Sequence, residues 1–196
     1  MTHIIFLSKW QKFSSVDRQK ISHRNICLPG PNRHDTTPDL TILRCTLFPR
    51  VSFHQEFAVE SRMVDFKDIL RCTVDDHITA HEADLEWLNT QVSAIAKDEP
   101  QRRIVIFTYH SPSVDTRCMD PTHSGSDVSM GFVTDLSREE YCTNPAVTAW
   151  AFVHTHFSCA FTDTDGKAII FNQKGYRLVP VQGFNAENTW TFGEYE

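Results

Sequence analysis

Three histidines close two apolar runs. His110 ends Ile104-Val105-Ile106-Phe107-Thr108-Tyr109-His110-Ser111-Pro112, and His154 and His156 end Trp150-Ala151-Phe152-Val153-His154-Thr155-His156. Short apolar runs bounded by turn formers read as buried parallel strands. In open α/β sheets, ligands and chemistry sit just beyond the carboxyl ends of such strands. Imidazole is the commonest neutral metal ligand, so the chemistry in view is metal binding. In extended backbone, residues i and i+2 point to one side, which turns His154 and His156 toward a common site. Each signal alone has a plainer reading. A His-x-His is often a pair of surface histidines, and a lone histidine after a strand often bonds a backbone carbonyl. The ordered combination is what points to a site.

The elements that must position these residues are legible in part. Leu40 to Phe48 is rich in β-branched and apolar residues, reads as a strand, and is stopped by Pro49. Residues 49 to 78 read as a loop with a short helix. The strongest helix is His81 to Lys97, where Leu85, Leu88, Val92, Ile95 and Ala96 form one apolar stripe. Thr79-x-x-Glu82 has the form of a capping box at its start. Strands at Ile104 to Phe107 and Trp150 to Val153 follow, separated by a long polar stretch, 111 to 143. Asn144-Pro145 fits the cap and first position of a short helix. Asp163-Thr164-Asp165-Gly166 between Phe157–Phe161 and Lys167–Asn172 is a hairpin signal. Ile4 to Phe13 reads as a helix candidate, Asn25 to Asp39 as turn-rich, and 181 to 196 as a polar, aromatic tail. Trp87 and Trp150 read as core; His81 and His123 as surface or capping residues. Asp115, Asp120, Asp127 and Asp135 read as solvated.

Composition bounds the class. The 196 residues are 40% apolar and 22% charged, with net charge −6, so the chain reads as a single globular domain over 1–196. The acidic balance argues against a nucleic-acid partner. Six scattered cysteines lack metal or disulfide spacing and read as reduced cytoplasmic thiols. The apolar run near the N-terminus is too short for a signal peptide, and nothing approaches the ~20 apolar residues of a membrane helix.

The ordered set of segments resembles the calcineurin-like metallophosphoesterase superfamily, most closely fungal Ser/Thr-phosphatase-like members. Phe107-Thr108-Tyr109-His110-Ser111-Pro112 resembles the family's T-H-H-x-P segment, and Phe152-Val153-His154-Thr155-His156 its G-H-T-H. Thr41-Ile42-Leu43-Arg44-Cys45-Thr46-Leu47-Phe48, Asp84 to Leu88 and Asn172 to Tyr176 look like further family features, so the likeness runs from about 25 to 180. It implies an α/β/β/α sandwich with two central sheets, and a dinuclear centre of divalent ions (Mn, Fe or Zn) acting on a phosphate ester. His110 and His154 would bind one metal and His156 the other.

The departures carry equal weight. The family's earlier D-x-H, G-D-x-x-D and G-N-H-[DE] segments have no counterpart; the chain contains no Gly-Asp pair and no Gly-Asn-His. Asp75-Asp76-His77 has D-x-H letters but follows no strand and reads as chance. Gly30-Pro31-Asn32-Arg33-His34-Asp35 is interrupted by two residues. Tyr109 replaces a His, and Arg44 and Val153 replace Gly. The expectation is a metallophosphoesterase-like domain lacking its N-terminal strands, a hydrolase by descent that is inactive alone and associates with itself through an uncovered sheet edge. The alternatives are a non-catalytic protein-binding module and a one-metal phosphatase completed by other residues.

Overall fold

The computed structural model describes residues 2–4, 30–63, 66, 72–123, 125–176 and 178–192. Its centre is a six-stranded mixed sheet ordered β2-β3-β4-β5-β7-β6. The strands are β2 (Asn32–Thr37), β3 (Leu40–Cys45), β4 (Arg103–Thr108), β5 (Val147–Phe152), β6 (Cys159–Thr162) and β7 (Ala168–Phe171). Strands β3, β4, β5 and β7 run parallel, while β2 and β6 are antiparallel edges. The described α-helices are α1 (Glu56–Arg62), α2 (Val74–Asp98) and α3 (Glu140–Thr143). Two further strand pairs join β1 (Thr2–Ile4) to β10 (Trp190–Phe192), and β8 (Gly175–Tyr176) to β9 (Val179–Pro180). The mixed α/β class stands, and the second large sheet of a sandwich is not among the described residues.

The three parallel strands named from sequence form because their residues are β-branched, aromatic or apolar and bury both faces. Leu43, Ile104, Ile106 and Trp150 face one way with Leu88, Val92 and Ile95 of α2. Leu40, Val105, Ala149, Ala151 and Ile170 form the opposite cluster. The hairpin also forms where Asp163-x-Asp-Gly appears. Asp163 Oδ1 accepts from the amides of Asp165 and Lys167, at 2.9 and 2.8 Å, and Gly166 takes φ +80°.

Several boundaries differ from expectation. Helix α2 begins at Val74, not His81. Thr73 is its N-cap: the Asp76 amide donates to Thr73 Oγ1 at 3.1 Å, and Asp76 Oδ2 accepts from the Thr73 amide at 2.9 Å. Asn144 does not start a helix; it ends α3, and its Oδ1 accepts from the Ala146 amide at 2.9 Å. The stretch read as turns holds edge strand β2, kept polar by Arg33 paired to Asp35 and Glu99. Charge on an edge discourages edge-to-edge pairing. The tail forms β10, and Trp190 packs on the second cluster. Residues 5–13 of the N-terminal helix candidate lie outside the described residues.

Segment 111–143 carries three 3-10 turns, at Thr116–Cys118, Pro121–His123 and Ser129–Gly131. Asp115, Asp120 and Asp135 fold back on their own following residues, as short polar side chains do in turns. Gly131 lies so close to Met63 that any Cβ there would collide with the thioether.

The observed cap gives a discriminating prediction. Thr73→Ala should lower stability by about 1 kcal/mol in urea titration, since it removes an N-cap. Thr79→Ala, at an exposed position inside the helix, should shift it by less than about 0.5 kcal/mol.

Candidate functional site

The turns after β3, β4 and β5 meet at the carboxyl end of the parallel strands. Each turn is fixed by a named contact. Thr108 is fully buried; its hydroxyl accepts from the Trp150 indole at 2.8 Å and donates to the His110 carbonyl at 2.7 Å. The amides of Tyr109 and His110 both point to the Thr46 carbonyl, at 3.2 and 3.3 Å, tying β4's turn to β3's. The Val153 amide donates to the Tyr109 carbonyl at 3.3 Å, tying in β5's turn.

His110 and His154 come together as expected. Their ring centroids are 4.6 Å apart, edge on face. Tyr109 lies 4.6 Å from His154, with its hydroxyl 3.0 Å from His154 Nδ1. Phe132 stacks on His154 at 4.8 Å. Phe48 approaches His110 at 5.6 Å and His77 at 4.1 Å, and Phe66 lies 4.4 Å from His77. The site is therefore a set of imidazoles embedded in aromatic rings.

His156 is placed differently. The strand ends at Phe152, and His154 and His156 take φ +75° and +50°. Left-handed backbone breaks the alternation that extended chain would give. His154 turns inward, Thr155 is buried, and His156 is exposed, with its amide donating to Gln173 Oε1 at 2.8 Å. Gln173 also donates to Thr155 Oγ1 at 2.9 Å, so one buried amide side chain holds this loop. His156 remains beside His154 along a cavity of about 190 Å³, lined also by Met119, His123, Phe132 and Thr155.

His77 is the residue that sequence reasoning missed. It sits in the first turns of α2, 1% exposed, although its D-x-H letters read as chance. His81 is buried too, not a surface residue: Nδ1 donates to the Phe48 carbonyl at 2.6 Å. The available signal was helical spacing. His77, His81 and Asp84 continue the buried stripe of Leu88, Val92 and Ile95 toward the N-terminus.

Burial keeps these rings neutral. Desolvation pushes His77 down to about 4 and His154 to about 3, and drives fully buried His110 well below its ordinary value. Neighbouring imidazoles add to the effect on His110 and His154: His154, His77 and His81 act on the first, His156 and His77 on the second. The same buried positions leave nitrogens without hydrogen bonds. Both nitrogens of His77, both of His110, and Nε2 of His154 have none, as does Tyr141 Oη in the core. Among the described residues, no group of three or more His, Cys, Asp or Glu side chains is arranged to hold a metal ion.

Comparison with family models, with curated proteins and with solved structures finds no match. What the site can do must be argued from its own residues.

The neutral imidazoles fix the sign of an acid effect. An unfolded histidine titrates near 6.5, and these three have lower folded values. Their contribution to stability is full above about pH 6.5 and is lost as pH falls toward 4. Each contributes about 1.4 kcal/mol per pH unit, so three give a slope of roughly 4 kcal/mol per unit. His81 and His156, also lowered by burial, add to this fall, and Asp84, raised by burial, opposes it. Urea unfolding at pH 7.5, 6 and 5 without added metal should show this fall, and replacing His154 with Phe should make it shallower.

Proposed function

We propose that this chain carries the later half of the motif set of a calcineurin-like metallophosphoesterase, a phosphoester hydrolase by descent that has no turnover by itself. The observation that carries the reading is the meeting of His110 and His154, rings 4.6 Å apart, at the carboxyl ends of two adjacent parallel strands. The order of the resembling segments along the chain supports it. So does Gln173, within the resembling stretch 172–176, which holds the turn that bears His154 and His156. The α/β/β/α sandwich is the finer architecture this reading implies. A cytoplasmic setting fits the thiols of Cys45, Cys118, Cys142 and Cys159, none in a disulfide. No helix among the described residues is long and apolar enough to cross a membrane.

On this reading His110 and His154 belong to one metal position and His156 to a second, with a phosphate ester as substrate. The donors present do not fit such a dinuclear centre. Two cations clamping a phosphoryl group need oxygen ligands between and around them, and Mn²⁺-like ions prefer carboxylates. The groups that act on His110 and His154 are other imidazoles. Among the described residues no carboxylate joins these histidines in a metal-holding group, and on this reading that is the physical reason for inactivity. A non-catalytic protein-binding role is favoured by a separate observation. Phe53 and Phe57 are 85% and 84% exposed, four residues apart at the start of α1.

Incubation of the full chain with p-nitrophenyl phosphate and Mn²⁺ should release phenolate no faster than Mn²⁺ alone. Sustained turnover that disappears in His154→Ala would overturn this and support a one-metal phosphatase. The nucleotide sequence upstream of Met1 checks the descent separately: an open frame encoding D-x-H and G-N-H-[DE] supports it.

A further inference from the structure

The cavity beside His154 and His156 has walls that select for one kind of guest. Its volume is about 190 Å³. An apolar cavity of about 150 Å³ is enough to hold a benzene ring. The space therefore takes a single ring with a small substituent. Met119, Phe132 and Val133 supply apolar wall. Phe132 is itself stacked on His154, and a thioether such as that of Met119 makes favourable contacts with aromatic rings. Ser129 and Thr155 add hydroxyls, and His123, His154 and His156 add imidazoles. Among the described residues, the lining includes no Asp, Glu, Lys or Arg. Burial lowers His154 and His156 below the ordinary histidine value, so both rings are neutral at pH 7.5. An ion would find no counter-charge from acidic or basic side chains there, and the net charge of −6 further disfavours an anion. Hydroxyls and neutral imidazoles each donate and accept hydrogen bonds, so they match a ligand group that does both.

We infer that this cavity binds a small, uncharged aromatic molecule, one ring bearing a hydroxyl or an equivalent group that both donates and accepts a hydrogen bond. The exposed side chains of His123 and His156 mark its solvent side, and buried Val133 and Thr155 its inner side. The walls come from two parts of the chain, the 3-10 turns of 119–133 and the turn after β5, and each part is already held in place. The Phe132 amide donates to the Ser129 carbonyl at 3.0 Å, closing the turn that carries Ser129. The Ser111 amide donates to the Phe132 carbonyl at 3.2 Å, and the Thr134 amide to the Ser111 carbonyl at 3.1 Å, which anchors Phe132 and Val133 to the turn after β4. Gln173 holds Thr155 at 2.9 Å. The site is thus formed before a ligand arrives, as small-molecule pockets usually are. This assignment rests on the cavity's walls and not on descent from a hydrolase.

The test titrates the full chain at pH 7.5 with phenol, benzene, benzoate and phenyl phosphate, followed through the methyl signals of Met119, Val133 and Leu40 in NMR. Phenol should shift Met119 and Val133 and leave Leu40, at the opposite end of β3, in place. It should bind at least about tenfold more tightly than the two anions, which meet no counter-charge, and than benzene, which leaves the polar wall unpaired. Ser129→Trp places an indole in the cavity and should abolish the shifts. Absence of phenol binding, binding of benzene or of either anion as tight as that of phenol, or binding that survives in Ser129→Trp would each overturn the assignment. Should Ser129→Trp not fold, the parent chain decides: phenol that moves Leu40 as much as Met119 and Val133 is not seated in this cavity. Turnover of a phosphate ester is a separate measurement, so the hydrolase reading and this one fail separately.

Discussion

Helix α2 grips the turn after β3, and the histidine cluster depends on that grip. Asp84 Oδ2 accepts from the Leu47 amide at 2.7 Å, and His81 donates to the Phe48 carbonyl at 2.6 Å. Leu47 is held at φ +51°, a conformation that costs a non-glycine residue on the order of 1–3 kcal/mol. A hydrogen bond to a charged group contributes about 1.5–3 kcal/mol, enough to offset that strain. The turn so held presents Phe48 between His77 and His110, and its Thr46 carbonyl receives the amides of Tyr109 and His110. Release the grip, and both the β4 turn and the ring that separates the two histidines lose their reference point.

The same helix shows how one buried face serves two purposes. Along a single stripe, α2 buries His77, His81 and Asp84 in its first half and Leu88, Val92 and Ile95 in its second. The apolar half lies over the middle of the sheet, where packing is all that is asked. The polar half reaches the carboxyl ends of the parallel strands, where sheets of this kind place their ligands. Burial of imidazoles that find no partner is unfavourable, and local rules are broken most often at functional sites. His77 has no structural bond to justify its polarity, whereas His81 and Asp84 do.

That division explains what the sequence disclosed and what it withheld. Parallel strands and the Asp-Gly hairpin were legible because their signals are local: β-branched runs and turn chemistry. The pairing of His110 with His154 was legible because both follow buried strands that turn out to be neighbours. The start of α2 was not. The apolar stripe starts at Leu85, so the expected helix ran only from His81, although His77, His81 and Asp84 share the stripe's spacing. Thr79-x-x-Glu82 imitated a cap, while the working one, Thr73 with Asp76, used an aspartate. His77 was hidden for the same reason: as a D-x-H match it lacked its strand, and as a helix residue it was not sought. Strand β2 was hidden by its polarity, which an edge permits.

His156 is the instructive failure, because the residue responsible was already visible. In the resembling family a glycine precedes the final His-x-His and lets the chain turn there. Here the position is Val153, whose β-branched side chain resists the left-handed region. The chain continues past it, donating the Val153 amide to the Tyr109 carbonyl, and turns one residue later at His154. Histidine tolerates that conformation better than valine does. The late turn swings His154 into the aromatic cluster and carries His156 outward. Tyr109 lies within hydrogen-bond distance of the inward ring. Val153 and Tyr109 thus act in concert: one delays the turn to His154, and the other lies within hydrogen-bond distance of its Nδ1. A site that in extended backbone would present two imidazoles side by side becomes one that presents a single imidazole to His110 and to the helix opposite.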